Sequence, residues 1–291
     1  NTTMSRSAHL AFAICLLFLL YPLKIHKKAH SSLPFYDIAL CILGTLAALY
    51  PLMEFYALAQ RPGDYTSFDI AVACIAVVVL FEAGRRIIGP ALPIIAGVFL
   101  AYDYFGQYMP DIIAHQGASL NKLAGHMYLT TEGVFGVPLG VSVSFIYLFV
   151  LFGSLLERAG AGQYFINLAF ALLGKFRGGP AKASVIASGL TGMVSGSSTA
   201  NVVTVGTFTI PLMKKAGLTG TKAGAIEVAA GVNGQLMPPI MGAAAFIIAE
   251  FLGLSYTNVM IAAVIPAFVC YLSLFFIVHL ESCKLGLKGM E

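Results

Sequence analysis

Long apolar runs, separated by short polar or charged stretches, dominate this sequence and limit the folds open to it. A helix that spans a bilayer needs about 20 mostly apolar residues. Charged residues make up only 10% of the chain, against about 25% in a soluble domain. The sequence therefore predicts an all-α polytopic membrane protein. Its apolar runs lie near residues 8–23, 35–59, 67–84, 87–106, 138–156, 162–173, 183–213, 221–252 and 257–280.

Cations in the short loops predict how the chain is oriented. Clusters follow the first and third runs, and their members are Lys24, Lys27, Lys28, Arg85 and Arg86. Loops rich in Lys and Arg stay in the cytoplasm, so residue 1 and the stretch 107–136 are expected outside. The formal net charge of +4 is small and lies in such clusters, which suits a topology signal and predicts no nucleic-acid partner.

The run 183–213 has cations at both ends. Lys182 precedes it, and Lys214 and Lys215 follow it, so both ends are expected in the cytoplasm. One straight helix cannot begin and end on the same side, and two full spans would need about 40 residues plus a turn. We therefore predict a re-entrant hairpin of two half-helices over 183–213, with its tip at the polar stretch Ser195–Asn201.

The run 221–252 contains a second polar interruption, the break, from Asn233 to Pro239. Pro238 and Pro239 remove two backbone donors, and their rings clash with the preceding turn. This run therefore predicts a discontinuous helix. Irregular backbone at membrane depth is tolerated only where protein or a watery cavity surrounds it.

Discontinuous helices at the midplane are the usual way in which secondary transporters build a site. The N-termini of half-helices suit an anionic substrate, and freed carbonyls suit a cation such as Na⁺. The hydroxyl and amide oxygens of the tip and the break are hard neutral ligands, which suit Na⁺ better than a transition metal. The candidate ion- and substrate-binding residues are Ser195, Gly196, Ser197, Ser198, Thr199, Asn201, Asn233, Gly234, Gln235, Pro238 and Pro239.

Within that set, the candidate Na⁺ ligands are Ser195, Ser197, Asn201 and Asn233. H⁺ is the alternative coupling ion, and no organic cofactor is expected. The other interpretation of both polar interruptions is that small polar residues only hold helices together in lipid.

Other polar residues give weaker signals. Glu227 is either an intramembrane coupling carboxylate or a residue close enough to Lys222 and the inner surface to be wet. Residues 118–131 have apolar positions at helical spacing and predict an amphipathic interfacial helix on the outer side. No nucleophile, base and partner residue form a catalytic cluster, so the chain is not expected to be an enzyme.

A set of motifs in this chain matches a known family. The motifs are Glu132–Pro138, Phe149–Ser154, Gly178–Lys182, Gly192–Val202, Pro211–Gly217 and Gly234–Phe246, with Leu80–Arg86 as the best match before residue 107. Together they resemble the permeases of TRAP (tripartite ATP-independent periplasmic) transporters, in particular fused permeases that work with TAXI-class binding proteins. One departure is Ala230–Gly234, where a Ser-Thr-Gly-Gly-like stretch is expected, and there Asn233 stands in for a hydroxyl ligand.

The resemblance implies a domain organisation. Residues 1–110 would be a four-helix part similar to the small subunit, and 111–137 an amphipathic connecting segment. Residues 138–291 would be the first inverted repeat of an elevator-type ion transporter, with the hairpin at 183–213 and the broken helix at 221–252. The chain is then expected to be a fragment that lacks the second repeat and a preceding helix.

The resemblance also implies a function, the ion-coupled import of organic anions such as dicarboxylates, keto acids or amino acids, usually with Na⁺. A periplasmic substrate-binding protein would deliver the substrate to a permease surrounded by lipid in a bacterial or archaeal cytoplasmic (inner) membrane. The alternative is a passive channel or scaffold subunit of a membrane complex. The residues leave open which anion is carried and whether Na⁺ or H⁺ drives uptake.

Overall fold

The computed structural model describes residues 2–23 and 34–289, and within these ranges it is helical without strands. The predicted all-α polytopic membrane fold is confirmed. The chain divides into two compact units, Asn1–Val143 and Ser144–Glu291. Lys24, Lys27 and Lys28, on which part of the predicted orientation depends, lie outside the described residues.

The first unit is built mainly from helices that follow the early apolar runs. They are α1 (Thr2–Leu20), α2 (Phe35–Met53), α3 (Phe55–Gln60), α4 (Ser67–Ile87), α5 (Ala91–Phe105), α6 (Leu120–Ala124) and α7 (Val137–Val141). A 3₁₀ turn, Gly106–Tyr108, follows α5, and a π-helical turn, Gly125–Leu129, follows α6.

Small residues bring α1, α2 and α4 close together, as expected for helices packed in lipid. A Cβ atom added at Gly44 of α2 would lie 2.7 Å from side-chain carbons of both Ile14 in α1 and Val79 in α4. A buried ion pair joins the start of α2 to the end of α4, with Arg86 Nη1 2.6 Å from Asp37 Oδ1. Both side chains are at most 4% exposed, so the charges compensate each other away from water.

Two predicted helices of the first unit differ from the observed ones. The run 35–59 is interrupted at Glu54, three residues after Pro51, which removes a backbone donor inside α2. The amphipathic helix predicted over 118–131 is reduced to α6 and the π-helical turn, which bury Ala124 and Tyr128 but leave Leu120 exposed.

The second unit begins inside a helical stretch that runs from Val137 to Arg158. Its helices are α8 (Tyr147–Arg158), α9 (Ala161–Leu173), α10 (Gly179–Ser195), α11 (Ser198–Lys215), α12 (Gly220–Asn233), α13 (Ala243–Leu252) and α14 (Tyr256–Lys284). In the described part of the chain, five helical stretches are long and apolar enough to cross a membrane: Thr2–Leu20, Phe35–Met53, Ser67–Ile87, Val137–Arg158 and Tyr256–Lys284.

Helix α10 forms the centre of the second unit and packs against α8, α9, α11, α12 and α14. Its small residues allow this crowding, since Ala181, Ala183 and Ala187 are each at most 1% exposed. The helix begins before residue 183 because Gly178 takes a left-handed conformation and Pro180 favours the first helical turn. Lys182, which was predicted to precede the hairpin, therefore lies within α10, where it is buried with Nζ 5.6 Å from the ring centre of Phe275.

Candidate functional site

The predicted tip is a two-residue connection between α10 and α11. Gly196 has a φ of +59°, which favours glycine, and an added Cβ atom would collide with the carbonyl oxygen of Met241. Ser197 begins α11 as its N-cap, because its Oγ accepts a hydrogen bond from the Ala200 amide at 3.3 Å. Thr199 and Asn201 thus belong to the first turns of α11, and the irregular backbone is shorter than predicted.

The predicted break separates α12 from α13. Helix α12 ends at Asn233, a 3₁₀ turn covers Gly234–Leu236, and α13 starts only at Ala243. The Gly242 amide donates to the Gln235 carbonyl at 2.8 Å, which folds the interruption back on itself. The Tyr256 hydroxyl lies 2.7 Å from the Pro239 carbonyl oxygen, one of those freed by the missing helix.

The tip and the break meet through a side-chain hydrogen bond, and backbone groups next to them also bond. The Ile240 amide, one residue after the break, donates to the Met193 carbonyl, two residues before the tip, at 3.4 Å. Gln235 Nε2 donates to Ser198 Oγ at 3.0 Å. The structure therefore brings the two polar interruptions together inside the second unit. The two residues that form this side-chain bond are 37 positions apart in the sequence.

Glycine makes this close approach possible at the end of α10. A Cβ atom added at Gly192 would lie 2.5 Å from the Cα atom of Gly234 and 3.1 Å from its carbonyl oxygen. Both neighbours are backbone atoms, which cannot turn aside as a flexible side chain can. Gly192 is therefore required for α10 to touch the break.

Asn201 is fully buried, and its amide group is bound to α10. Its Nδ2 donates to the Ser188 carbonyl at 2.8 Å, and its Oδ1 accepts from the Ser188 hydroxyl at 3.3 Å. An amide oxygen has two lone pairs, so Oδ1 retains one for a further partner.

Ser195 and Thr191 lie one turn apart on α10 and present buried hydroxyls that find no hydrogen-bond partner among the described residues. Together with Glu157 of α8 they line a cavity of about 10 Å³, which has room for roughly one water molecule. Buried hydroxyls without partners are costly, and such hard oxygen donors suit a small cation. The donor set therefore fits Na⁺ as well as a bridging water.

The remaining predicted residues are less enclosed. Ser197 and Thr199 are exposed at the start of α11, and Asn233 is half-buried at the end of α12. Pro238 lines an apolar groove with Met237 and Tyr271, away from the polar side chains of the tip.

The position of Glu227 in the structure excludes one of the two interpretations that its sequence context allowed. It is fully buried, so the expectation of a wet residue near Lys222 is wrong, and Lys222 pairs instead with Glu281. Glu227 Oε2 lies 2.5 Å from the hydroxyls of both Ser184 and Thr209. The carboxyl group therefore ties α12 to α10 and α11.

Sequence reasoning missed the hydroxyl groups around Glu227. Ser184 and Ser188 are four residues apart on α10 and so share a face, and Ser188 Oγ lies 3.3 Å from Glu227 Oε1. That spacing, in a run of small residues, was the available signal. It gives no hint of the partner, because Glu227 is 39 residues further along the chain.

Comparison with known proteins gives one family. A family model described as "DctM: Tripartite ATP-independent periplasmic transporter, DctM component" matches residues 75–291. This range includes the whole second unit, and with it the tip and the break.

Individual relatives agree with that match. The uncharacterized protein y4mL of Sinorhizobium fredii is 29% identical over 201 residues, 68% of this chain and 42% of the relative. The C4-dicarboxylate TRAP transporter large permease protein DctM of Vibrio cholerae is 31% identical over 170 residues, 58% and 34% of the two chains. The isethionate TRAP transporter permease protein DctMQ of Oleidesulfovibrio alaskensis is 30% identical over 152 residues, 51% and 24%. The chain matches less than half the length of each of these relatives.

Proposed function

We propose that this chain, which belongs to the DctM component family of tripartite ATP-independent periplasmic transporters, forms part of an ion-coupled importer of organic anions. A periplasmic substrate-binding protein delivers the anion, and the permease lies in the bacterial cytoplasmic (inner) membrane. Members of this family are transporter permeases, which are not enzymes.

The contact between the tip and the break is the observation that carries this proposal. Two interrupted helices that face each other supply helix termini and free backbone groups at one place, which is the arrangement of a transporter site. Here the two interruptions are linked by the bond from Gln235 to Ser198 and by the close backbone approach of Gly192 to Gly234.

The start of α13 supports an anionic substrate. Its N-cap is Gly242, which offers no side chain to the first amide groups of the helix, and Ala243 and Ala244 are exposed. A helix N-terminus carries partial positive charge and free amide hydrogens, which favour a carboxylate or sulfonate. Two relatives have names that include such anions: C4-dicarboxylate is a carboxylate, and isethionate is a sulfonate.

The oxygen ligands at and next to the tip support Na⁺ as the coupling ion. Ser195 has a buried hydroxyl without a partner among the described residues, and Asn201 Oδ1 keeps a free lone pair. With Ser197 and Asn233, these residues are the proposed ligands. The Na⁺ would supply positive charge beside the anion, while the chain's own hydroxyl and amide groups hold both in place.

Uptake into liposomes tests the proposed function. The full-length permease is reconstituted and given its binding protein, a labelled organic anion and an inward Na⁺ gradient. We expect accumulation only when both the binding protein and the gradient are present. An equal K⁺ gradient and liposomes without permease are the controls. Uptake that continues unchanged without the gradient and the binding protein would indicate a passive channel and refute the proposal.

A further inference from the structure

Glu227 is a buried carboxyl group that the proposed function does not use. None of the ion pairs formed by residues 2–23 and 34–289 includes it. An ionised carboxylate without a cation is very unfavourable in such a place, and such a group takes up a proton instead.

Among the described residues, no titratable group on the helices packed around Glu227 forms an ion pair with it. On α10, the Lys182 amine lies over the Phe275 ring. On α12, Lys222 pairs with Glu281 of α14, and the Tyr271 hydroxyl of α14 donates to the Ala230 carbonyl at 2.8 Å. The remaining groups of this kind are Lys214 and Lys215 at the end of α11, and Tyr256, Cys270, His279, Cys283 and Lys284 on α14.

The hydrogen-bond contacts of the Thr209 hydroxyl indicate where such a proton lies. Thr209 Oγ1 is 2.5 Å from Glu227 Oε2 and 3.0 Å from the Val205 carbonyl oxygen. Neither a carboxylate nor a carbonyl oxygen donates, and the threonine hydroxyl has a single hydrogen. A proton on Glu227 Oε2 satisfies both contacts, because the carboxylic acid donates to Thr209 and Thr209 donates to Val205.

The opposite side of the carboxyl group has the same shortage of hydrogen atoms. Ser188 Oγ lies 3.3 Å from both Glu227 Oε1 and Asn201 Oδ1, and it also has a single hydrogen to donate. Ser184 donates to Glu227 Oε2 at 2.5 Å. The cluster of Glu227 with Ser184, Ser188 and Thr209 therefore has five hydroxyl contacts to oxygen atoms but only three hydroxyl hydrogens, and one added proton fills one of the two contacts left without a hydrogen.

We propose that Glu227 is a proton-binding site of the transport unit and that its proton is a coupling ion in addition to the Na⁺ proposed at the tip. The proton enters from the outer solution and converts the carboxylate to a carboxylic acid that donates to Thr209. Its release to the cytoplasm restores the carboxylate, so that charge and hydrogen balance over a cycle. This inference rests on the proposed import function for the direction of proton movement, and on the cluster alone for proton binding.

Infrared spectroscopy of the full-length permease tests proton binding directly. A protonated carboxylic acid has a carbonyl stretch that an ionised carboxylate lacks. We expect that band at neutral pH in the unaltered protein, and its loss in Glu227→Gln. The matched control is Glu250→Gln, which removes an exposed carboxyl group of α13 and is expected to keep the band. Thr209→Val keeps the carboxyl group but removes its hydrogen-bond acceptor, so a shifted band identifies Glu227 even if Glu227→Gln does not fold.

Proton movement tests the coupling role. Liposomes containing the permease and a trapped pH-sensitive dye are given binding protein, substrate and Na⁺. We expect substrate-dependent acidification inside, abolished in Glu227→Gln and retained in Glu250→Gln. Two results overturn the inference: no band that depends on Glu227, or substrate uptake without acidification. Absence of any binding-protein-dependent uptake would instead refute the proposed import function, while the infrared band still decides whether Glu227 is protonated.

Discussion

At the scale of single residues, the polar side chains of the tip differ in how strongly the fold already binds them. Ser197 caps α11, and Asn201 is hydrogen-bonded to Ser188. Changing either would disturb helix structure and any ion site at once, since loss of a cap alone costs about 1 kcal/mol. Ser195 Oγ has no partner within the described residues, so its removal breaks no observed hydrogen bond. Ser195 is therefore the cleanest probe of the proposed Na⁺ site.

We predict that Ser195→Ala raises the Na⁺ concentration needed for half-maximal uptake by about tenfold or more. The reason is that a hydrogen-bond or ligand contact to a charged group contributes about 1.5–3 kcal/mol, and 1.4 kcal/mol is about a factor of ten. Thermal stability should stay the same. The measurement is uptake by liposomes over a range of Na⁺ concentrations.

Ser154→Ala is the matched control for that substitution. Ser154 lies on exposed α8 and donates to the Leu151 carbonyl of its own helix. The Ser154→Ala substitution should leave the Na⁺ dependence of uptake unchanged. If Ser195→Ala and Ser154→Ala have the same Na⁺ dependence as the unaltered protein, Ser195 is not a ligand.

At the scale of helices, the site depends on how closely α10 approaches the break. Gly192 lies against the backbone of Gly234, with room for neither a methyl group nor a rearranged side chain between them. The contact brings the end of α10, just before the tip, against the break, and most other residues of α10 are buried as well. Widening the gap at Gly192 should thus separate the two halves of the site.

Gly192→Ala is predicted to destabilise the second unit by about 1–3 kcal/mol, the usual cost of overpacking, and to reduce uptake at least tenfold. Gly224→Ala in α12 is the control, because a Cβ atom there meets nothing within 4 Å. Thermal unfolding and uptake of both variants measure the effect. Equal activity of the two variants would show that the close approach is not needed.

Much of this helix arrangement could be predicted from the sequence, but not its details. The polar stretches in long apolar runs indicated both interruptions, because polar and Pro-containing segments break the pattern of a spanning helix. The limits of the tip could not be predicted, since they depend on Ser197 acting as a cap. The surroundings of Glu227 could not be predicted either, because Ser184 and Thr209 reach it from two other helices.

At the scale of the whole molecule, the candidate site lies within one of the two compact units. The tip and the break both fall in Ser144–Glu291, and the family match extends over all of it. The predicted domain boundaries at 110 and 137, the inner or outer location of each loop and the elevator mechanism stay predictions. The proposed site is confined to this unit, where ion and substrate bind at the contact between the tip and the break.

Thiol labelling measures that claim most directly. The experiment uses a full-length permease whose native cysteines are replaced. Thr199→Cys places a thiol at an exposed position of the tip, and Thr207→Cys places one at an exposed position further along α11. A membrane-impermeant thiol reagent is applied to open membranes with and without Na⁺ and substrate-loaded binding protein. We predict slower labelling of Thr199→Cys when both are present, and no change for Thr207→Cys. Equal labelling of Thr199→Cys under all conditions would contradict it.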